Sequence, residues 1–243
     1  MRSRWFGVLL AVATVVGPAP AQAGKPTSGS PATIVARYTF NGRSGSILDV
    51  SGRGHTLSVV SGHGGAVRSV VHGQGAAVAF PARCAGRAAI CPHVALQSPS
   101  TADLNPGTQD IAYGADVLLA AGQTSKGQNI VQKGYSKTSS QWKLQIDGVA
   151  GRPSCVLVGD RKPTIRMVTS SMSAADGKWH AIACRRTGTL LSVSIDGVVR
   201  GSVAVPARLS VSNTRPLSIG AKGAFPDNDQ FNGALDNVWV QIG

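Results

Sequence analysis

Short runs of alternating apolar and polar residues fill the chain from residue 33 to its end. In the segment DIAYGADVLL, for example, Ile111, Tyr113 and Val117 fall on one side of an extended chain. A period of two is typical of strands, and Gly, Pro, Asn or Asp bounds each run. Fourteen runs are predicted to be strands: Thr33–Phe40, His55–Val60, Gly65–Val71, Ala76–Phe80, Asp110–Leu119, Asn129–Lys133, Gln141–Ile146, Ser154–Val158, Ile165–Thr169, His180–Arg186, Leu190–Ile195, Val198–Val205, Leu217–Ile219 and Gly233–Gln241.

No helical stripe longer than two turns interrupts this pattern. Asp196-Gly197 lies between two alternating runs and predicts a type I′ hairpin, because both central residues of that turn need positive φ. The 30 Gly and 13 Pro residues also disfavour long helices. The predicted fold class is all-β, a two-sheet antiparallel β-sandwich of about 12–14 strands.

The first 23 residues differ from the rest and predict a secretory signal peptide. Arg2 and Arg4 precede an uncharged apolar run from Trp5 to Val16, and residues 21–23 (AQA) give a small-x-small cleavage pattern. That run is shorter than the roughly 20 residues of a membrane span. We therefore expect a secreted, extracellular protein without a membrane span, with a flexible start over residues 24–32 and one domain over residues 33–243.

Four cysteines follow the signal peptide, an even number that predicts two disulfides in an oxidising compartment. Three pairings are possible. Cys84–Cys91 is favoured because it closes a short loop, and Cys155–Cys184 because it joins two predicted strands. A zinc site is disfavoured, since the cysteines lack a paired C-x-x-C spacing.

Composition narrows the chemistry that the chain can perform. All 11 acidic residues are Asp, so a catalytic Glu pair of the glycosidase type is excluded. The sequence also lacks the G-x-S-x-G and H-E-x-x-H motifs, and it predicts a protein that is not an enzyme. The 24 Lys and Arg residues give a formal charge of +13 without a basic block. Scattered charge predicts weak binding to acidic surfaces and no specific nucleic-acid partner.

Five segments, in order, resemble the laminin G-like, concanavalin A-like jelly-roll domain. They are Ala36–Asn41 (ARYTFN), Asp49–His55 (DVSGRGH), Asp176–His180 (DGKWH), Leu191–Gly197 (LSVSIDG) and Phe231–Trp239 (FNGALDNVW). The resemblance covers nearly all of residues 33–243 and implies the sandwich fold. Because alternating strands bury large aromatic residues, Trp179 and Trp239 are predicted to be core anchors.

The same resemblance implies a structural calcium ion between the early Gly-rich loop and the last strand. The matching positions are Asp49, the backbone near His55, and Asp236. The alternative is ordinary turn chemistry, in which Asp49 accepts hydrogen bonds from its own loop and Asp236 caps a bulge. His55, His63 and His72 stand near glycines, which predicts solvent-facing positions on loops.

The ligand-binding candidates lie in loops at the ends of predicted strands. Asp227, Asn228 and Asp229 stand between Phe225 and Phe231, a set that combines hydrogen-bonding groups with an aromatic face for a sugar ring. Tyr135 is a second exposed-aromatic candidate. We therefore predict a non-catalytic, lectin-like module whose partner is a glycan or acidic polysaccharide. The alternative is an adhesion domain that binds a protein partner or an acidic surface through its basic face.

Overall fold

Two antiparallel sheets build the domain, as a computed structural model shows for residue 1 and residues 31–42, 47–87 and 90–243. The predicted signal peptide, apart from Met1, lies outside these described residues. Sheet A contains eight strands: β1 (Thr33–Tyr38), β3 (Arg68–His72), β4 (Gly75–Ala79), β6 (Ile111–Leu118), β11 (Trp179–Thr187), β12 (Leu190–Ile195), β13 (Val198–Ala204) and β15 (Ala234–Ile242).

Sheet B contains the other seven strands, which are β2 (Ser58–Gly62), β5 (His93–Ser98), β7 (Gly127–Gly134), β8 (Gln141–Asp147), β9 (Arg152–Val158), β10 (Ile165–Thr169) and β14 (Leu217–Ile219). Their order across the sheet is β10-β9-β8-β7-β14-β5-β2. In sheet A the order is β13-β12-β11-β6-β15-β4-β3, and β1 also pairs with β15. The predicted two-sheet antiparallel sandwich is confirmed, with fifteen strands in the described part of the chain.

Strand β5 is the element that the alternation pattern did not predict. Five of its six side chains are buried, so both faces of the strand are covered. A strand buried on both faces loses the apolar–polar alternation by which strands are recognised. The predicted strand His55–Val60 begins three residues later, at Ser58.

The predicted hairpin turn joins β12 to β13. Ile195 pairs with Val198, and the two turn residues Asp196 and Gly197 have φ angles of 52° and 77°. These values match the type I′ turn that the Asp-Gly dipeptide favours.

The core lies between the two sheets and contains a disulfide that joins them. Cys155 on β9 is bonded to Cys184 on β11, and the second disulfide joins Cys84 to Cys91, which is the pairing favoured from the sequence. Trp142 on β8 is fully buried, packs against Tyr113 at a ring distance of 4.9 Å, and donates a hydrogen bond to the Leu104 carbonyl.

The expectation that Trp179 and Trp239 anchor the core is wrong. Both are only partly buried, and the Trp179 ring stacks on the imidazole of His72 at 3.9 Å. The buried side chains of β11 and β15 are Ile182 and Cys184, and Leu235, Val238 and Val240. In the described residues, no helix has the length and apolar character needed to cross a membrane.

Candidate functional site

A groove of about 690 Å³ lies on the outward face of sheet B, opposite the core. Its floor includes Gln141, Lys143 and Gln145, which are alternate residues of β8 and therefore point away from the core. All three are buried although they are polar. They are covered because the loops that follow β7 and β14 rise on either side of them.

The walls of the groove carry two aromatic side chains. Tyr135 follows β7, and its hydroxyl donates a hydrogen bond to the Lys222 carbonyl at 3.2 Å across the groove. Phe225 is 44 % exposed, and its ring lies so close to Gly223 that a Cβ there would stand 2.8 Å from the ring. Both rings therefore have defined positions at the edge of a polar floor.

Arg215 lies over the Tyr135 ring, with its guanidinium carbon 5.4 Å from the ring centre. The loop that carries Arg215 is held by buried Lys133, whose ammonium group donates to the Asn213 carbonyl at 2.6 Å and to Asn105 Oδ1 at 2.8 Å. Burial lowers the pKa of Lys133 to about 8. Arg215 itself is exposed, and its guanidinium makes no hydrogen bond to a described residue.

Among the described residues, Asp229 is the one carboxylate that lines this groove, and two lysines share it. Its Oδ2 accepts hydrogen bonds from Lys143 Nζ at 2.9 Å and from Lys222 Nζ at 2.7 Å. Burial raises the pKa of Asp229, but the two ammonium groups outweigh it and hold that pKa below its ordinary value. Burial also lowers the pKa of Lys143. With Lys137 and Arg215 at the rim, four basic groups face one acid.

Asn129 adds an unsatisfied polar group next to this floor. It is fully buried and lies opposite Gln145 in the β7–β8 ladder, so the two side chains emerge on the same face of the sheet. Neither its amide nitrogen nor its amide oxygen has a hydrogen-bond partner in the described part of the chain. Buried amides are normally paired with protein groups or ordered water, and because Asn129 is fully buried and does not line the groove, it gives no evidence for a ligand.

Three of the five predicted ligand residues meet in this groove, namely Phe225, Asp229 and Tyr135. Asp227 and Asn228 instead line a second cavity of about 580 Å³ beside the Cys84–Cys91 loop, where Asp229 also contributes. Asn228 is buried and donates to the Gly223 carbonyl at 2.6 Å, so it shapes the loop. Gln141, Lys143 and Gln145 could not be predicted as site residues from the sequence, because outward polar positions of a strand resemble an ordinary solvated face.

The three predicted calcium positions are not brought together as a side-chain cluster. The Asp49 carboxylate accepts four hydrogen bonds, from the Arg37, Ser51 and His55 amides and from the Ser51 hydroxyl. These donors direct positive charge at both oxygens, so the carboxylate does not fit a calcium ion and instead orders its own loop. His55 is buried, contrary to the prediction of a solvent-facing loop position, and bonds Asp103 through Nε2 at 3.0 Å.

Asp236, the third predicted position, lies beside a bulge in β15. It contacts His72, whose Nδ1 is 2.7 Å from Asp236 Oδ2. Its other oxygen accepts a hydrogen bond from the Asn237 amide. His72 lies at the end of β3 and is only partly exposed. This position differs from the predicted solvent-facing position on a loop.

Comparison with known proteins shows the family to which this chain belongs. A profile of the concanavalin A-like lectin/glucanases superfamily (laminin G type) matches residues 93–241. No curated protein sequence matches that of this chain.

Solved structures give a wider match in fold. The binding domain of Paraclostridial Mosquitocidal Protein 1 is similar with a TM-score of 0.64 and 14 % identity, over 86 % of this chain and 48 % of that one. This chain thus spans about half the length of that toxin domain. Domain 4 of AbnA, a GH43 extracellular arabinanase from Geobacillus stearothermophilus solved with arabinotriose, matches with a TM-score of 0.62 and 14 % identity, over 87 % of this chain and 93 % of that one.

The binding domain of botulinum neurotoxin DC, solved with SialylT, gives a TM-score of 0.61 at 11 % identity, over 86 % of this chain and 47 % of that one. A further structure of that domain was solved with rat synaptotagmin II. At these identities the likeness shows the fold alone, so the site has to be argued from its own residues.

Proposed function

Because the chain belongs to the concanavalin A-like lectin/glucanase superfamily, we propose that it is a non-catalytic, exported carbohydrate-binding module. The groove on the outward face of sheet B is its sugar site. The observation that carries this proposal is the combination of a buried polar floor (Gln141, Lys143, Gln145) with ring faces at the rim (Tyr135, Phe225). Amide and ammonium groups hydrogen-bond sugar hydroxyls, while an aromatic face packs against the apolar side of a sugar ring.

The charge of the groove favours an anionic glycan over a neutral one. Lys137, Lys143, Arg215 and Lys222 face the single carboxylate of Asp229, so the lining carries an excess of positive charge. Arg215 is oriented by its stacking on Tyr135 and leaves its fork of N–H donors open for a carboxylate or sulfate.

The arrangement of Asp229 supports a binding role. Glycoside hydrolysis needs two carboxyl groups that flank the scissile bond, one of them able to carry a proton. In the part of the chain that the structure describes, Asp229 is the one acid that lines the groove, and two ammonium groups keep it ionised. It therefore lacks both the partner and the protonated state that the reaction requires.

Binding of oligogalacturonate and of an uncharged galactan, measured by calorimetry at low and high salt, tests this function. We expect the acidic oligosaccharide to bind one site per chain and to bind more tightly than the neutral one. Arg215→Ala should weaken this binding about tenfold or more, because a charge-assisted hydrogen bond contributes about 1.5–3 kcal/mol. Phe225→Ala should weaken the binding of both glycans.

Arg208→Ala is the matched control, since it removes the same charge from an exposed position outside the groove. Equal weakening by Arg208→Ala and Arg215→Ala would show that net charge alone attracts the polymer. Such a result, or the absence of any glycan binding, would favour the second candidate, a protein-binding domain. The exposed apolar side chains Ile165 and Met167 on edge strand β10 are the observation that favours that candidate.

A further inference from the structure

Three metal-ligating side chains converge on the outward face of sheet A, on the opposite side of the sandwich from the groove. They are His72 at the end of β3, Asp116 on β6 and Asp236 on β15, and one ligand atom from each lies within 4.8 Å of the others. The neighbours of Asp116 along β6 point into the core, so its own side chain points outward. We propose that these three residues bind a divalent transition-metal ion, and that zinc is the ion they fit.

The cluster contains two acids that no lysine or arginine compensates in the described part of the chain. Asp116 and Asp236 are direct partners in the β6–β15 ladder, where like charges repel across the strands. The chain has 24 Lys and Arg residues for 11 Asp, yet among the described residues no lysine or arginine nitrogen lies within 4.0 Å of either carboxylate. A bound cation compensates both charges at once.

Neighbouring residues hold all three ligands in place. Asn237 donates its amide N–H to Asp236 Oδ1 at 2.6 Å and its side-chain N–H to Asp116 Oδ2 at 2.8 Å. Asn237 can do both because the β15 bulge gives it a φ of 46°. Trp179 stacks on the His72 ring at 3.9 Å and fixes its plane. Such supporting contacts are typical of metal sites, where they orient the ligands.

The donor atoms decide which metal fits. Calcium takes six to eight oxygens, whereas this cluster offers one imidazole nitrogen and two carboxylates. Zinc accepts this mixture in a four-coordinate geometry with one open position. His72 Nδ1 and Asp236 Oδ2 are 2.7 Å apart, a hydrogen-bond distance. Tetrahedral ligands about 2.0–2.1 Å from zinc are roughly 3.3 Å apart, so zinc would replace the shared proton after a shift of well under 1 Å.

Metal titration of untagged, chelator-treated protein tests the proposal. We expect one equivalent of zinc to bind, with calcium much weaker, and cobalt to give the visible absorption of a four- or five-coordinate site. His72→Gln and Asp116→Asn should each weaken zinc at least about tenfold. If either variant unfolds, the cobalt spectrum of the unmodified chain and the nitrogen chemical shifts of His72 on adding zinc still decide the question.

His180 provides a matched control because it also contacts two aspartates. Its Nδ1 bonds Asp196 at 2.8 Å and its Nε2 bonds Asp176 at 3.1 Å, so the two carboxylates lie on opposite sides of the ring and cannot share one ion. His180→Gln should leave zinc affinity unchanged. Equal loss in His180→Gln and His72→Gln, a preference for calcium, or no stoichiometric zinc binding would overturn the proposal.

Discussion

Several carboxylates in this chain, such as those of Asp49 and Asp196, hold neighbouring donors in place. Asp49 is the clearest case, with four hydrogen bonds to its two oxygens. Burial raises the pKa of Asp49, but the bonds from Arg37, Ser51 and His55 outweigh it and hold that pKa below its ordinary value. The ionised carboxylate therefore stabilises the folded state.

Replacing Asp49 with Asn should lower the free energy of unfolding by about 1–3 kcal/mol, since an amide nitrogen would then face donors that need an acceptor. Because the folded pKa is depressed, the contribution of Asp49 is complete above its unfolded pKa of about 3.9 and disappears as pH falls through the folded value. Urea unfolding between pH 7 and pH 2 measures this difference.

Asp227→Asn is the control, because that exposed carboxylate has no hydrogen bond to a described residue. The decrease in the free energy of unfolding caused by Asp49→Asn should be equal in excess calcium and in chelator. If calcium raises the melting temperature of the unmodified chain, and this increase is lost in the Asp49 variant, the result would instead support the predicted calcium site.

Site residues in loops could be predicted from the sequence more readily than site residues on strands. Phe225, Asp229 and Tyr135 stand in turns that the sequence marks with Gly, Pro and Asn, and they meet in one groove. Lys143 and Asp116 lie in strands, where an outward polar residue looks like any solvated one. Their partners, Asp229 and Asp236, are 86 and 120 positions away in the chain, and local patterns carry no information about such pairs.

At the scale of the element, strand alternation specified the sandwich, and a covalent bond joins its two halves. The Cys155–Cys184 disulfide connects β9 of sheet B with β11 of sheet A. The strand that alternation missed, β5, is covered on both faces and therefore lacks alternation. Trp179 and Trp239 were misassigned for a related reason, because large aromatic residues on alternating strands can face either side.

Removing the Cys155–Cys184 bond by paired substitution to Ala should lower the free energy of unfolding by about 3.5 kcal/mol, from the entropy of closing a 29-residue loop, plus a cavity contribution. Removing Cys84–Cys91, with its separation of 7, should cost about 2.5 kcal/mol. Urea unfolding of the two double variants measures both values. An inter-sheet variant as stable as the unmodified chain would show that packing alone joins the sheets.

The whole molecule has two different outward faces on one core. The face of sheet B carries the basic groove, and the face of sheet A carries the acidic cluster of His72, Asp116 and Asp236. A ligand on one face leaves the other accessible. Two disulfides are typical of chains that fold outside the cytoplasm, and we propose that this chain is exported.

Export predicts a defined start for the mature chain. Produced in a bacterium with a general secretion system, the protein should appear outside the cytoplasm with Gly24 as its first residue, as intact mass measures directly. Ala23→Arg should block processing, because the cleavage pattern needs a small residue there. Gln22→Asn, at the middle position of the pattern, should be processed normally. Retention of residues 1–23 by the unmodified exported chain would contradict the predicted signal peptide.

Asp229 has a consequence for how such a module would hold its polymer. Its carboxylate already occupies the place between Lys143 and Lys222 that an acidic sugar would take, so it acts as a built-in competitor. An arriving carboxylate gains only the difference between its own contacts and those of Asp229. The expected affinity of one such site for an acidic sugar is lowered by this competition. Attachment of this kind becomes strong only where many copies meet many repeats.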